Sequence, residues 1–137
     1  MSGPVSLDAT SFKREMELAR QYGPMVPQTL YELLDQLEAA GRLVSRGRQA
    51  YDSDEMLVFA AEAIVVRAGE CVARMDQHAP EFVREHPGLN LRDMKDARNF
   101  VAHGYDSVEA DVLWDVISTF MPTLKAGVTQ FLAEGGA

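Results

Sequence analysis

Apolar residues recur along most of this chain in steps of three and four, the period of an α-helix, and no stretch alternates as a strand would. The spacing predicts a first helix from about Thr10 to Tyr22, with Phe12, Met16 and Ala19 on one face and Gly23-Pro24 ending it. The next helix takes Pro27 into its first turn, carries Leu30, Leu33, Leu34 and Leu37 on its inner stripe, and fades between Gly41 and Gly47. A long helix capped by Asp52 or Ser53 should reach His78; its segment Met56 to Ala61 is uncharged and apolar all round, which implies enclosure on more than one side. Pro80 starts a brief helix through Glu85, and Pro87-Gly88 breaks it.

Asn90 caps the following helix, whose apolar face is Leu91, Met94, Ala97 and Val101, with Phe100 on the opposite side. The last helix starts near Val108 and directs Val112, Val116, Phe120, Leu124, Val128 and Phe131 inward. Pro122 should kink or divide it, with Thr119 as the cap of its second part. The fold class is therefore all-α: a bundle of four main helices with an extra helix in front. Residues 1–24 form the N-terminal extension and residues 25–137 the helical domain.

At 137 residues the chain is long enough for one real core. No apolar run approaches a membrane span, the N-terminus lacks the pattern of a signal peptide, and the lone Cys71 cannot form an intrachain disulfide. These features point to a cytoplasmic protein. The net charge of −8 argues against an indiscriminate nucleic-acid binder. Its distribution is uneven, because Arg84, Arg92, Lys95 and Arg98 gather in one region and Arg42 to Arg48 holds three arginines and no acid. A local basic cleft in an acidic body is compatible with this.

Candidate chemistry concentrates in Arg98-Asn99-Phe100-Val101-Ala102-His103-Gly104-Tyr105. A guanidinium holds a phosphate through paired hydrogen bonds, and an imidazole moves protons near neutral pH. Arg98 lies seven residues after Leu91, close to the apolar stripe, so it must be paired or open to a cleft. His103 stands just before Gly104, where a helix end favours a protonated imidazole. The bland readings are an Arg98 ion pair with Glu70 or Asp96, a capping His103, a packed Tyr105 and a solvated Asn99. For Glu70 the bland reading is an ion pair with Arg67 or Arg74 on its own helix. Cys71 reads as core, and His78 and His86 have no partners at metal-ligand spacing.

Arg98, His103 and Tyr105 fit the Arg-x4-His-x-Tyr pattern of the HepT-like toxins, a branch of the HEPN nucleases. Asp111 to Ile117, Met121 to Lys125 and Ala68-Gly69-Glu70 also resemble that branch, and the likeness covers roughly residues 27 to 133. The resemblance implies a homodimer whose motif helices face each other across a cleft. It also implies a metal-independent endoribonuclease without a cofactor, acting on RNA as the toxin of a toxin–antitoxin pair. By position, Arg98 and His103 would be catalytic and Tyr105 the tyrosine that an MntA-type nucleotidyltransferase antitoxin modifies with an adenylyl group. Read from their own chemistry, Asn99 and Glu70 are supporting candidates, Asn99 to bind phosphate and Glu70 to orient Arg98 or His103. The middle of the long helix departs from many family members, since Glu62 is its one charge between Met56 and Val66. A catalytically silent HEPN dimer that only binds a nucleotidyltransferase is the alternative, and a plain helical dimer the third reading.

Overall fold

The computed structural model describes residues 9–102 and 110–134. Its elements are helices α1 (Ala9–Tyr22), α2 (Met25–Val44), α3 (Arg48–Ser53), α4 (Glu55–His78) and α5 (Pro80–Glu85), then a 3-10 turn at Pro87–Leu89. Helix α6 (Leu91–Ala102), α7 (Ala110–Asp115), a π-helical turn (Val116–Phe120) and α8 (Met121–Ala133) complete the order. All described elements are helical, as the periodicity predicts.

The core forms where α2, α4, α6 and α8 meet. Val26, Leu30, Leu33, Leu34 and Leu37 of α2 are buried against Val65, Ala68, Val72 and Met75 of α4. Leu91 and Met94 of α6 and Leu124, Val128 and Leu132 of α8 close the same cluster. Phe82 of α5 is fully buried, with the rings of Tyr22, His86 and Phe131 around it. Helix α1 is held onto α8 by Arg14, whose Nε donates to the Phe131 carbonyl at 3.1 Å while its guanidinium lies 4.2 Å from the Phe131 ring centroid.

Four local expectations need correction. The cap of α4 is Asp54, whose carboxylate accepts from the Met56 backbone N–H at 3.0 Å, because Asp52 and Ser53 belong to the separate short helix α3. Pro122 does not create a cap at Thr119. The helix continues through the π turn, with the Met121 N–H donating to the Val116 carbonyl, and the wider turn precedes the residue that lacks a donor. The buried stripe ahead of the proline runs through Leu113, Ile117 and Met121, leaving Val112 exposed and Val116 and Phe120 half-buried. Among the described side chains of α1, Ser11 and Leu18 are buried, and the Phe12–Met16 face turns outward, Phe12 being 61% exposed.

Candidate functional site

The candidate site is built where α4 and α6 cross closely. Gly69 is the reason they can. A Cβ placed on Gly69 would stand 1.9 Å from the Cβ of Arg98, 2.6 Å from its Cγ and 3.1 Å from the Met94 carbonyl oxygen. The first two separations are far inside the 3.5–4.0 Å of ordinary carbon contact, so the stem of Arg98 occupies space that only a glycine leaves free. One further turn along the pair, Lys95 Nζ of α6 donates to Asp76 Oδ2 of α4 at 2.8 Å. The two helices are thus pinned just ahead of the motif's first residue.

Arg98 is half-buried. Its Nη1 donates to the side-chain oxygen of Asn99 at 2.7 Å. Its Nε is buried and has no hydrogen-bond acceptor among the described residues. A buried guanidinium N–H without a protein acceptor is costly, and in folded proteins such a group is ordinarily met by a water, an ion or a ligand. Asn99 therefore comes together with Arg98, as a neighbour that fixes one side of the fork and leaves the Nε edge without an acceptor.

Glu70 is placed differently. Among the described residues no hydrogen bond or ion pair joins it to Arg98, Arg67 or Arg74, and Arg74 instead reaches across to Glu32 of α2 at 2.5 Å, so the ion-pair reading of Glu70 does not hold. Glu70 is exposed and borders two hollows. One, of about 270 Å³, lies between α2 and α4 with Glu32, Asp35, Arg67 and Arg74. The other, of about 520 Å³, runs from Phe59, Glu62 and Arg67 of α4 to Val101 at the end of α6. Cys71 beside it is buried, and burial raises its thiol pKa, in keeping with a core role. His103 and Tyr105 lie outside the described residues.

Part of the expected basic surface is paired with acids. Lys95 and Arg92 share Asp76, the latter at 3.9 Å, while Arg48 bonds Asp52 at 2.8 Å and also pairs with Asp111. Arg48 further lies over the rings of Tyr51 and Trp114, tying α3 to α7. Among the described residues no group of three or more His, Cys, Asp or Glu side chains could hold a metal ion, and no helix is long and apolar enough to cross a membrane.

Sequence reasoning passed over Gly69 as a structural determinant. Its signal was a glycine in the interior of a long helix, which weakens the helix and usually has a packing reason.

With this geometry in view, comparison with known proteins gives two matches. A family model described as "Ribonuclease HepT-like" matches residues 33–131, more than half of the chain. A protein of Thermococcus cleftensis (strain DSM 27260 / KACC 17922 / CL1) named "Probable ribonuclease HepT" is 34% identical over 62 residues, which are 44% of this chain and 56% of that relative. The matched stretch thus spans little more than half of the relative's length. No solved structure matches the chain.

Proposed function

The chain belongs to the HepT-like ribonuclease family, and on that footing we propose that it is a metal-independent endoribonuclease whose working groups are Arg98 and His103. The observation that carries the reading is the guanidinium of Arg98. Its stem is seated over Gly69, one nitrogen is held by Asn99, and its buried Nε lacks an acceptor among the described residues. That is how a receptor for a phosphate oxygen is prepared before the ligand arrives.

In the proposed reaction the ribose 2′-oxygen attacks the adjacent phosphorus and the bond to the 5′-oxygen breaks. His103 takes the 2′-hydroxyl proton, and a second His103 delivers a proton to the leaving 5′-oxygen. Arg98 balances the charge that builds on the phosphorane. RNA is cut and DNA is not, because the nucleophile is the 2′-hydroxyl. Two copies of the pair require a homodimer, and the exposed Met56 and Phe59 of α4 give it an apolar surface beside the 520 Å³ hollow. The protein would act as the toxin of a toxin–antitoxin pair. Its MntA-like partner would transfer AMP from ATP to the Tyr105 phenol oxygen, releasing pyrophosphate and placing a competing phosphate near Arg98.

The chemistry fixes the product ends. Cleaved RNA should carry 2′,3′-cyclic phosphate and 5′-hydroxyl ends, and DNA of the same sequence should survive. Other ends would point to a water nucleophile and overturn the scheme. Co-expression with a neighbouring nucleotidyltransferase should add the mass of an adenylyl group to the peptide containing Tyr105, and Tyr105→Phe should escape it.

A second reading, a catalytically silent dimer that only docks a nucleotidyltransferase, draws support from the pairing of Lys95, Arg92 and Arg48 with acids. It expects no cleavage by the purified protein and undiminished partner binding in Arg98→Ala.

A further inference from the structure

We propose that Gly69 is a positioning residue: its missing side chain sets the place of the Arg98 guanidinium. This rests on the reading of Arg98 as the phosphate-holding group, though the structural part of it does not. The argument turns on which atoms of Arg98 meet the absent Cβ. They are Cβ and Cγ, at 1.9 and 2.6 Å, and not the far end of the side chain. Cβ is fixed to the α6 backbone, so no change of rotamer removes the first overlap. With any residue but glycine at 69, the α6 backbone must move away by roughly 1.5 Å or more to restore ordinary carbon contact.

The Met94 carbonyl oxygen, 3.1 Å from the same virtual Cβ, would be pressed in the same direction, while Lys95, which holds Asp76 of α4 at 2.8 Å, resists the movement on the N-terminal side of Arg98. The segment of α6 around Arg98 would be levered out relative to α4. The Nε that is now buried would be displaced, with Asn99 carried along beside it. His103 follows α6 directly in sequence, so the second member of the pair is tethered to the helix that moves. Displacements of about 1 Å in a catalytic group can cost on the order of a hundredfold in rate.

A glycine needed only for helix packing would predict lost stability. A glycine that positions Arg98 predicts an effect that travels through that one side chain. The test uses the full chain as Gly69→Ala, Arg98→Lys, Arg98→Gly and the Gly69→Ala/Arg98→Gly double variant. In proton–nitrogen spectra, the Arg98 Nε–H resonance is identified by its loss in Arg98→Lys. Gly69→Ala should shift or broaden it while the Arg48 resonance, held by Asp52 and Asp111, stays in place. The loss of melting temperature caused by Gly69→Ala should shrink by half or more in the Arg98→Gly background, where the Cβ and Cγ that obstruct it are gone. RNA cleavage by Gly69→Ala should fall about tenfold or more in kcat, with little change in KM.

An unmoved Arg98 resonance overturns the proposal. So does an equal thermal penalty in both backgrounds. Should Gly69→Ala fail to fold, the double variant decides: it should fold, and its failure alongside the single variant overturns the proposal. If Arg98→Lys cleaves RNA like the unmodified chain, the catalytic reading of Arg98 fails, and the spectra and melting temperatures still decide the role of Gly69.

Discussion

Arg98 lies across Gly69 so closely that a single methyl on the glycine would fall 1.9 Å from the arginine's own Cβ. Two helices that meet this way present a charged side chain from a fixed backbone, with its stem enclosed and its head restrained by Asn99. The conformational freedom that a long arginine normally keeps is removed before any ligand arrives.

Arg98→Ala should therefore reduce RNA cleavage by about 10²- to 10³-fold in kcat, the scale of losing one fixed donor to transition-state charge. Asn99→Ala removes a hydrogen bond to a charged group and should cost about tenfold. Single-turnover assays on one short RNA would separate the two. Equal losses would mean that Asn99 touches the substrate itself.

The apolar surface on α4 predicts association. Met56 is 64% exposed and Phe59 52%, both within the uncharged segment where α4 begins. The protein should sediment as a particle of twice 15.2 kDa at micromolar concentration, and Phe59→Asp should return it to a single chain. A wild-type monomer would remove the paired site.

Stability should decline in alkali. Tyr22 Oη donates to Glu85 at 2.5 Å, and burial together with that bond pushes its pKa up to about 12. Tyr31 is raised to about 12 by burial and a hydrogen bond with Glu15. Between roughly pH 10 and 12 the unfolded chain releases these phenol protons while the folded chain keeps them. Stability is thus full below about pH 10 and is lost as the pH rises towards 12. Urea midpoints measured across that range should fall, and less steeply in Tyr22→Phe.

Phe82 is 0% exposed and is ringed by Tyr22, His86 and Phe131, which joins α5 to α1 and α8. Phe82→Ala should cost about 3–5 kcal/mol, read from the urea unfolding curve. A cost near zero would mean that this end of the bundle refills the space.

How far the sequence anticipated this structure depended on whether a feature was periodic or contextual. Leu30, Leu33, Leu34 and Leu37 mark a face that periodicity reveals, and they are buried. Phe12 and Met16 mark an equally periodic face that looks outward, because spacing defines a face without saying which neighbour it meets. Ahead of Pro122 the buried positions Leu113, Ile117, Met121 and Leu124 mix steps of four and three, so a stripe extrapolated from Leu124 through Phe120 to Val112 in steps of four alone drifts off the buried face. The basic stretch around Arg48 was visible as charge, whereas its acid partners come from Asp52 and from Asp111, distant in sequence. Arg98 and Asn99 were picked out by their motif. Gly69, which allows Arg98 to lie where it does, announces itself only once two helices are placed together.

The most direct measurement is cleavage of a single-stranded RNA by the purified protein in the presence of a metal chelator, alongside Arg98→Ala and His103→Ala of equal helical content. The account predicts cleavage by the unmodified chain and its loss in both variants. Cleavage that persists in both variants, or that appears only when a divalent metal is restored, would contradict it.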